Sequence, residues 1–354
     1  MFVYVIFYYI CGNLKQMKID LKTILAIQTD SGQEWRTFAH CVRVSKSLGA
    51  KVRQDKFGNL YITKGKAQNY PCVVAHLDSV HDIVSDLHIL EFNGMLSGFN
   101  RNTMQQSGIG GDDKVGIYIA LKCLEQFDNI KIAFFVDEER GCIGSREADM
   151  SFFNDCRFVL QADRRGNADF ITSASGTILS GADFQKAVQP YLTLYGFKKE
   201  VGMMTDIMTL KEKGLNVACA NVSCGYFRPH SKDEYVVVKD VENTFNLFCS
   251  IIKNLKNIYP HKYEPKIYSG YYGNYGAKYW NGGGKQQYGG KGWTPKTEVK
   301  QSHLFETFAE HEKNKHEERD NNMCDACLNS CSTLSYQTNY NAWLCTDCYK
   351  WLKS

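Results

Sequence analysis

The sequence lacks several features that would assign it to a class directly. Its formal net charge is only +4 over 354 residues, which is too small to indicate a nucleic-acid-binding protein. The apolar start, Met1 to Ile10, lacks the basic n-region of a signal peptide. It is also far shorter than the ~20 residues that span a bilayer. We therefore predict neither a signal peptide nor a membrane anchor. A wrongly assigned start codon, with Met17 as the true first residue, explains this segment better, as does a short extra strand.

The cysteines also lack the spacing of a disulfide framework. Nine of the fourteen are scattered through apolar runs from Cys11 to Cys249, and five crowd into the last stretch of the chain. This distribution indicates reduced thiols plus one metal-binding module, and hence a cytoplasmic protein.

The first candidate site residues follow an apolar run. The segment Cys72 to Ala75 is typical of a buried strand, and His76 and Asp78 stand directly after it. Open α/β sheets place their sites at this carboxyl edge, and a metal-binding histidine needs a carboxylate or carbonyl on its second nitrogen. Alone, His-x-Asp after a strand is more often a satisfied turn.

A glycine-rich loop, Gly108 to Gly116, runs into an apolar helix from Ile117 to Phe127. The loop lacks the Gly-Lys-Ser/Thr ending of a phosphate site, and the adjacent acids Asp112 and Asp113 would repel a phosphate. A cation is therefore the better ligand. A simple helix cap by Asp112 is the alternative.

More acids and a histidine follow the other predicted strands. Lys131 to Val136 precedes Glu138 and Glu139, and like charges this close are unfavourable unless a metal or a shared proton relieves them. The remaining two strands lead to further candidates, which are Asp163 after Phe158–Gln161 and His230 after Val217–Val222.

These residues should meet at one edge of one sheet. The order of helices and strands predicts a three-layer α/β fold, in which a mostly parallel mixed sheet is flanked by helices. Histidine and carboxylate ligands without thiolates suit a catalytic pair of zinc ions, with cobalt or manganese as alternatives.

The ordered set His-Leu-Asp, Gly-Gly-Asp-Asp-Lys-Val-Gly, Asp-Glu-Glu-Arg-Gly, Ala-Asp and Pro-His-Ser resembles the co-catalytic di-zinc metallopeptidases of the peptidase T, glutamate carboxypeptidase and single-domain zinc aminopeptidase type. The resemblance covers Met17 to about Leu255. It implies a zinc-peptidase fold and a cis peptide after the bridging acid. It also implies that a water bridging two zinc ions attacks the peptide, with Glu138 as the general base. The resemblance makes Asp112 the bridging ligand, and it assigns His76 and Asp163 to one metal and Glu139 and His230 to the other. Asp78 would orient His76.

The sequence departs from the peptidase T group between Asp163 and His230. The intervening segment is too short for the lid or dimerisation domain of that group, which makes a monomer the expectation. We predict a glycine-serine loop at Ser173 to Gly181 and helices from about Ala182 to Tyr195 and from Thr205 to Lys213. The histidines and acids near His76 fit no family position and are predicted to lie on the surface; they are His81, Asp82, Asp86 and His88.

Three residues are candidates for substrate contacts. Tyr226 and Arg228 lie just before His230 and are candidate oxyanion donors in place of the lid. Asp206 is a candidate for holding the free amine of a substrate, although an N-terminal helix cap explains it equally well.

The composition changes after about Pro260. Residues 261–320 are first rich in glycine, tyrosine and lysine and then charged, which predicts a flexible linker followed by a solvated helix rather than a core. Lysines between aromatics would also suit single-stranded nucleic acid, but a spacer needs no such role. Residues 321–354 contain two Cys-x-x-Cys pairs, which predict one structural zinc in a zinc ribbon or treble clef; they are Cys324, Cys327, Cys345 and Cys348.

The predicted organisation is therefore an uncertain extension (1–16), a di-zinc peptidase domain (17–260), a linker (261–320) and a four-cysteine zinc module (321–354). The predicted function is hydrolysis of small peptides by an aminopeptidase or a di- or tripeptidase. An N-acyl-amino-acid amidohydrolase would use the same metals. A vestigial peptidase domain that binds a protein or nucleic acid through its tail is the alternative from another class.

Overall fold

The structure is a computed structural model that describes residues 19–263, with residues 333–337, 342–346 and 349–350 of the tail. The first range contains seven α-helices, numbered here in chain order: α1 (Leu21–Leu25), α2 (Trp35–Ser47), α3 (Gly111–Gln126), α4 (Ile143–Arg146), α5 (Ala182–Tyr195), α6 (Asp206–Glu212) and α7 (Val238–Asn254). A short 3-10 helix spans Met150–Phe153.

Fourteen strands lie in the same range: β1 (Lys51–Gln54), β2 (Leu60–Lys64), β3 (Tyr70–His76), β4 (Leu87–Phe92), β5 (Met95–Asn100), β6 (Gln105–Ser107), β7 (Ile130–Phe135), β8 (Cys156–Arg164), β9 (Asp169–Ala174), β10 (Thr177–Ile178), β11 (Lys198–Gly202), β12 (Cys219–Ser223), β13 (Tyr226–Phe227) and β14 (Tyr235–Val237).

Nine of these strands form the central sheet, in the order β1-β2-β7-β3-β8-β12-β9-β10, with β11 paired to β9. The middle four strands, β7, β3, β8 and β12, are parallel to one another. The outer pairs β1-β2, β2-β7, β12-β9 and β9-β10 are antiparallel. Because parallel strands share one direction, the carboxyl ends of the middle four meet at one edge.

The core lies on both faces of this sheet. Strand β3 is buried throughout its length, with Val73 and Ala75 packed on one face and Cys72 and Val74 on the other. Helices α1, α2, α3, α5 and α7 contribute buried residues to the first face, and α6 contributes to the second. A strand covered on both faces is a continuous apolar run in the sequence, which is why β3 was recognisable there. The predicted three-layer α/β fold is confirmed.

A second sheet was not predicted. It has five antiparallel strands in the order β13-β14-β5-β4, with β6 paired to β5. Its strands β4, β5 and β6 lie in sequence between β3 and α3, whereas β13 and β14 come after β12. The second sheet therefore connects the segment after His76 with the segment that carries His230.

The predicted loop from Ser173 to Gly181 is wrong. Strands β9 and β10 pair there as an antiparallel hairpin. The turn between them is made by Ser175 and Gly176, both with positive φ, at 43° and 87°. The glycine and serine in the sequence marked this tight turn rather than a long loop. The helices predicted after it are present as α5 and α6.

Contacts of the main domain continue to His261. Pro260 forms an isolated antiparallel bridge with Val217, and the amide of His261 donates to the carbonyl of Asn216. The fully buried Lys211 ammonium donates to the carbonyl of His261 at 2.8 Å, and to those of Leu215 and Val217. A truncated chain should therefore keep residues up to 263, because a cut at 260 removes an acceptor from a buried charge.

The extension 1–16 and nearly all of the predicted linker lie outside the described residues. In the tail, β15 (Leu334–Gln337) and β16 (Ala342–Cys345) pair as an antiparallel hairpin. No helix in the described part of the chain has the length and apolar character needed to cross a bilayer.

Candidate metal centre

The carboxyl edge of the central sheet brings the predicted site residues together. His76 is the last residue of β3, and Asp163 lies near the end of β8. Glu138 and Glu139 come shortly after β7, and Asp112 lies at the start of α3. The regular part of α3 begins only after Asp113, since both aspartates have non-helical backbone angles. The peptide between Asp112 and Asp113 is cis, as expected from the resemblance.

Two groups of three side chains share Asp112. In the first, which we call the inner group, His76 Nε2 lies 3.2 Å from Asp112 Oδ1 and 3.7 Å from Asp163 Oδ1. In the second, the outer group, His230 Nε2 lies 3.3 Å from Asp112 Oδ2 and 3.0 Å from Glu139 Oε1. In each group the candidate ligand atoms lie within 4.8 Å of one another. The two oxygens of Asp112 thus face different groups, as a bridging carboxylate does.

The residues fit divalent cations. Two ligands at tetrahedral angles on one zinc ion lie about 3.3 Å apart, given zinc–ligand bonds of about 2.0–2.1 Å. The separations of 3.0 to 3.7 Å in the two groups are close to this value. Glu139 Oε1 is also buried without a hydrogen-bond donor in suitable geometry. A cation would satisfy this oxygen and offset the repulsion among the clustered carboxylates.

The charged groups of the site depend on one another. Burial opposes ionisation of Asp112, but its contacts with His230 and His76 hold its pKa well below the usual value. The contact with Asp112 raises the pKa of His230 to about 9, against the effect of burial. Burial raises the pKa of Asp163 to about 6 and that of Glu139 to about 7. Protons therefore occupy part of the cluster near neutral pH and must leave when a cation binds.

Asp78 connects His76 to the turn after β7. Its Oδ1 lies 3.2 Å from His76 Nδ1 and accepts the backbone N–H of Glu138 at 3.0 Å. Its Oδ2 accepts the N–H of Glu139 at 3.1 Å and the hydroxyl of Ser31 at 2.8 Å. The structure places Asp78 where an orienting residue for His76 is expected, and it adds Ser31, which the sequence did not identify.

Glu138 is close to both groups. Its Oε1 accepts the thiol of Cys142 at 3.3 Å, and it also forms a third cluster with His76 and Glu139. Burial raises the pKa of Glu138 to about 9. Proximity alone does not distinguish its role from that of Glu139, and the division between base and ligand stays a proposal.

Asp163 is held by four polar side chains, of which the sequence identified only Tyr226, and that one for a different role. Gln161 Nε2 and Thr205 Oγ1 each lie 3.1 Å from Asp163 Oδ2. Asn221 accepts the Asp163 N–H at 2.9 Å and donates to its carbonyl at 2.7 Å. The hydroxyl of Tyr226 donates to Asp163 Oδ1 at 3.3 Å. Such outer partners fix the orientation of a ligand.

The three candidate substrate contacts differ in exposure. Tyr226 is 3% exposed, and its hydroxyl is directed at Asp163. Arg228 is exposed and has a positive φ of 54°. Asp206 is fully buried, and its contact with a substrate amine stays a prediction. It lies at the first position of α6, after the N-cap Thr205, and its Oδ1 has no hydrogen-bond partner among the described residues.

One of the residues expected on the surface belongs to the site region. Asp82, Asp86 and His88 are exposed, as predicted. His81 is only 17% exposed in its side chain, and its Nε2 lies 2.7 Å from the buried carboxylate of Glu234. The prediction for His81 is wrong because its partner lies 153 residues away in sequence. Glu234 itself was missed, although it follows His230 by only four residues.

The predicted four-cysteine module is only partly described. Cys345 ends β16, while Cys324, Cys327 and Cys348 lie outside the described residues. The structural zinc therefore stays a prediction.

Comparison with known proteins gives matches to solved structures only. No protein-family model matches the chain, and a search of the curated proteins finds no match. The aminopeptidase PepT from Bacillus cereus is 12% identical with a TM-score of 0.56, covering 68% of this chain and 98% of that one. A tripeptidase from Staphylococcus aureus is 14% identical with a TM-score of 0.54 and the same coverage.

A third similar structure is archaeal. The aminopeptidase APDkam598 from Desulfurococcus kamchatkensis is 15% identical with a TM-score of 0.53, covering 66% of this chain and 93% of that one. At these identities the similarity shows the fold. The chain thus has the mixed α/β fold of these peptidases.

Proposed function

We propose that this protein is a metal-dependent exopeptidase that hydrolyses small peptides, as an aminopeptidase or a di- or tripeptidase. The observation that carries the proposal is the position of Asp112, whose two carboxylate oxygens each face a separate histidine-carboxylate group. The peptidase fold supports it, since the similar structures are aminopeptidases and a tripeptidase.

The inner group, His76, Asp112 and Asp163, would hold one divalent cation, and the outer group, Asp112, Glu139 and His230, would hold a second. Zinc suits this set of ligands, with cobalt or manganese as alternatives. When bound, such a pair lowers the pKa of water and polarises the scissile carbonyl.

Glu138 is the general base in this proposal. It accepts the proton of the attacking water and donates it to the departing amine, so that one carboxylate serves both halves of the reaction. Cys142 donates to its Oε1, and the peptide N–H of Glu138 is fixed by Asp78. These contacts hold the carboxylate in place while leaving its second oxygen for the proton.

Asp78 and Tyr226 are positioning residues. Asp78 fixes the ring of His76 and the Glu138–Glu139 turn together, so the base and both groups keep one relative geometry. Tyr226 donates to Asp163 and is better explained as the orienter of that ligand than as an oxyanion donor. Arg228 remains the exposed candidate for a contact with the substrate.

A substrate panel tests the proposal. The protein, freed of metal and then supplied with zinc, cobalt or manganese, would be assayed on aminoacyl reporters, di- and tripeptides, and N-acyl amino acids. We expect metal-dependent cleavage of peptides with a free amino terminus. Preference for N-acyl amino acids would favour the amidohydrolase alternative, and no cleavage of any substrate by the metal-loaded protein would contradict the proposal.

The remaining organisation is also a proposal. We place the peptidase domain at 17–260, with its contacts continuing to His261, the linker after it to 320 and the four-cysteine zinc module at 321–354. We also propose a cytoplasmic protein whose tail binds a protein or nucleic-acid partner. The comparisons do not support the monomer expected from the missing lid domain. Size measurement in solution decides the oligomeric state.

A further inference from the structure

Glu234 lies in the loop that carries His230, and its carboxylate is fully buried. Three backbone N–H groups of the loop that opens α3 donate to it. Ile109 and Gly110 donate to Oε2 at 3.1 and 2.7 Å, and Asp112 donates to Oε1 at 3.1 Å. Glu234 therefore fixes the backbone of the residue that both groups share.

His81 supplies a fourth donor. Its Nε2 lies 2.7 Å from Glu234 Oε2, and its ring packs directly on Gly108. A Cβ at Gly108 would lie only 2.1 Å from the His81 ring, so glycine is required for this approach. The Lys114 ammonium donates to the carbonyl of Ile109 at 2.9 Å. Glu234 and Lys114 thus hold the loop before Asp112 from both sides. With four donors, the buried Glu234 carboxylate is also fully hydrogen-bonded.

The same contacts connect the two loops of the outer group. The N–H of Glu234 donates to the carbonyl of Ser231 at 3.2 Å, which closes a turn directly after His230. One end of this turn carries the imidazole of the outer group. The other end binds the backbone of Asp112 through the Glu234 carboxylate. Asp163 and His76 are instead held by their own strands and by separate partners.

We propose that Glu234, together with His81, is a positioning residue that assembles the outer group by joining the His230 loop to the Asp112 loop. Neither residue contacts the cation. This inference rests on the proposed function, because it requires that the outer group hold a metal ion. It predicts that loss of the Glu234 carboxylate weakens the outer position more than the inner one.

Glu234→Gln tests the carboxylate with little change in volume. The amide keeps one acceptor oxygen but directs an NH₂ group at backbone or histidine donors, so some of the hydrogen bonds that Glu234 accepts are lost. His81→Ala is a second variant at a partly exposed residue, and it removes one donor without placing a new polar group in the interior.

The control for the loss of one negative charge away from the site is Asp155→Asn. Asp155 pairs with the Lys131 ammonium at the opposite edge of the sheet, where β8 begins, and the substitution removes the same charge as Glu234→Gln. A general loss of stability would appear in this control as well.

The experiment is a titration of the full-length, metal-free protein with cobalt(II), read by absorbance. Thiolate charge-transfer bands report the cysteine module, whereas weaker visible bands report histidine and carboxylate sites. Thermal unfolding of each metal-free variant is measured alongside. For Glu234→Gln we expect the second cobalt ion at the histidine-carboxylate sites to bind about 10- to 100-fold more weakly, with little change for the first. Residues that orient metal ligands commonly contribute that much affinity.

Three results separate the explanations. Weakening of the second equivalent alone in Glu234→Gln, and to a smaller extent in His81→Ala, supports the inference. Unchanged binding in both variants, or equal weakening of both equivalents with a lower unfolding temperature as in Asp155→Asn, overturns it while the proposed function stands. If the wild-type protein shows only thiolate bands, and none of the weaker bands of cobalt bound to histidine and carboxylate, both the proposed function and this inference are wrong.

Discussion

The inner and outer groups are made of similar ligands but are built differently. His76 is 1% exposed in its side chain, whereas His230 is 51% exposed. The inner ligands His76 and Asp163 lie on central strands, and polar side chains hold both. His230 lies in a loop, has a positive φ of 60°, and has no partner for Nδ1 among the described residues.

This difference indicates that the sheet predetermines the inner position and that loop contacts complete the outer one. Strand residues are fixed by the core, and their ligand atoms lose little freedom when a cation binds. A loop histidine that is half exposed must become ordered when the cation binds, unless contacts such as those of Glu234 already hold its loop in place. The two positions should therefore differ in affinity and exchange rate although their ligands are nearly the same.

The largest effect is expected where the two groups are joined. Asp112→Ala removes one oxygen from each group, and we expect loss of both metal equivalents outside the tail, with activity at background. Metal analysis of the purified variant checks this. Retention of one full equivalent with measurable activity would show that Asp112 serves only one group.

A second prediction concerns the base. Glu138→Gln removes a proton acceptor but no ligand, so both groups should keep their cations while turnover falls by about 10²–10⁴-fold. Metal content and turnover are measured on the same sample. If the variant loses one equivalent, then Glu138 is a ligand, as its cluster with His76 and Glu139 also permits.

A third prediction tests the asymmetry itself. During partial chelation of the wild-type protein, the outer position should empty first. We expect its affinity to be about 10- to 100-fold weaker, because the inner ligands have outer-shell partners that His230 lacks among the described residues. Cobalt spectra of the half-emptied protein, compared with those of His230→Ala, identify which position is vacant. Spectra that instead match His76→Ala would reverse the assignment.

A fourth prediction is the pH dependence of the outer position. The pKa of His230 is raised to about 9, so below that pH the imidazole carries a proton that a cation must displace. Affinity should therefore rise with pH by about tenfold per unit between roughly pH 7 and pH 9. Titrations at several pH values measure this slope, and an affinity that is independent of pH over this range would show that His230 is not a ligand.

The sequence was sufficient for the central strands and for the six candidate site residues that the structure brings together at one edge of the sheet. Buried parallel strands are apolar runs in the sequence, and a polar residue after such a run is conspicuous, as at His76 and Asp163. The second sheet could not be found in the same way, since β4 is exposed at four of its six residues and β5 is buried only at every second residue.

The supporting residues were missed for a different reason. Thr205 and Glu234 act through contacts between distant segments, and nothing in their local pattern distinguishes them from ordinary polar residues. His81 was assigned to the surface because it fits no position of the resembled family, and only the fold brings Glu234 to it. Local sequence thus indicates which side chains carry chemistry, while packing decides what orients them.

The central claim is that Asp112 bridges two cation positions of unequal construction. A crystal structure of the zinc-loaded protein, with anomalous differences at the zinc edge, tests it most directly. We expect two peaks at the carboxyl edge of the central sheet, one at about 2.0–2.2 Å from each oxygen of Asp112. The peak at the outer group should have the lower occupancy. A single peak bound by both oxygens of Asp112, or by residues other than these two groups, would contradict the account.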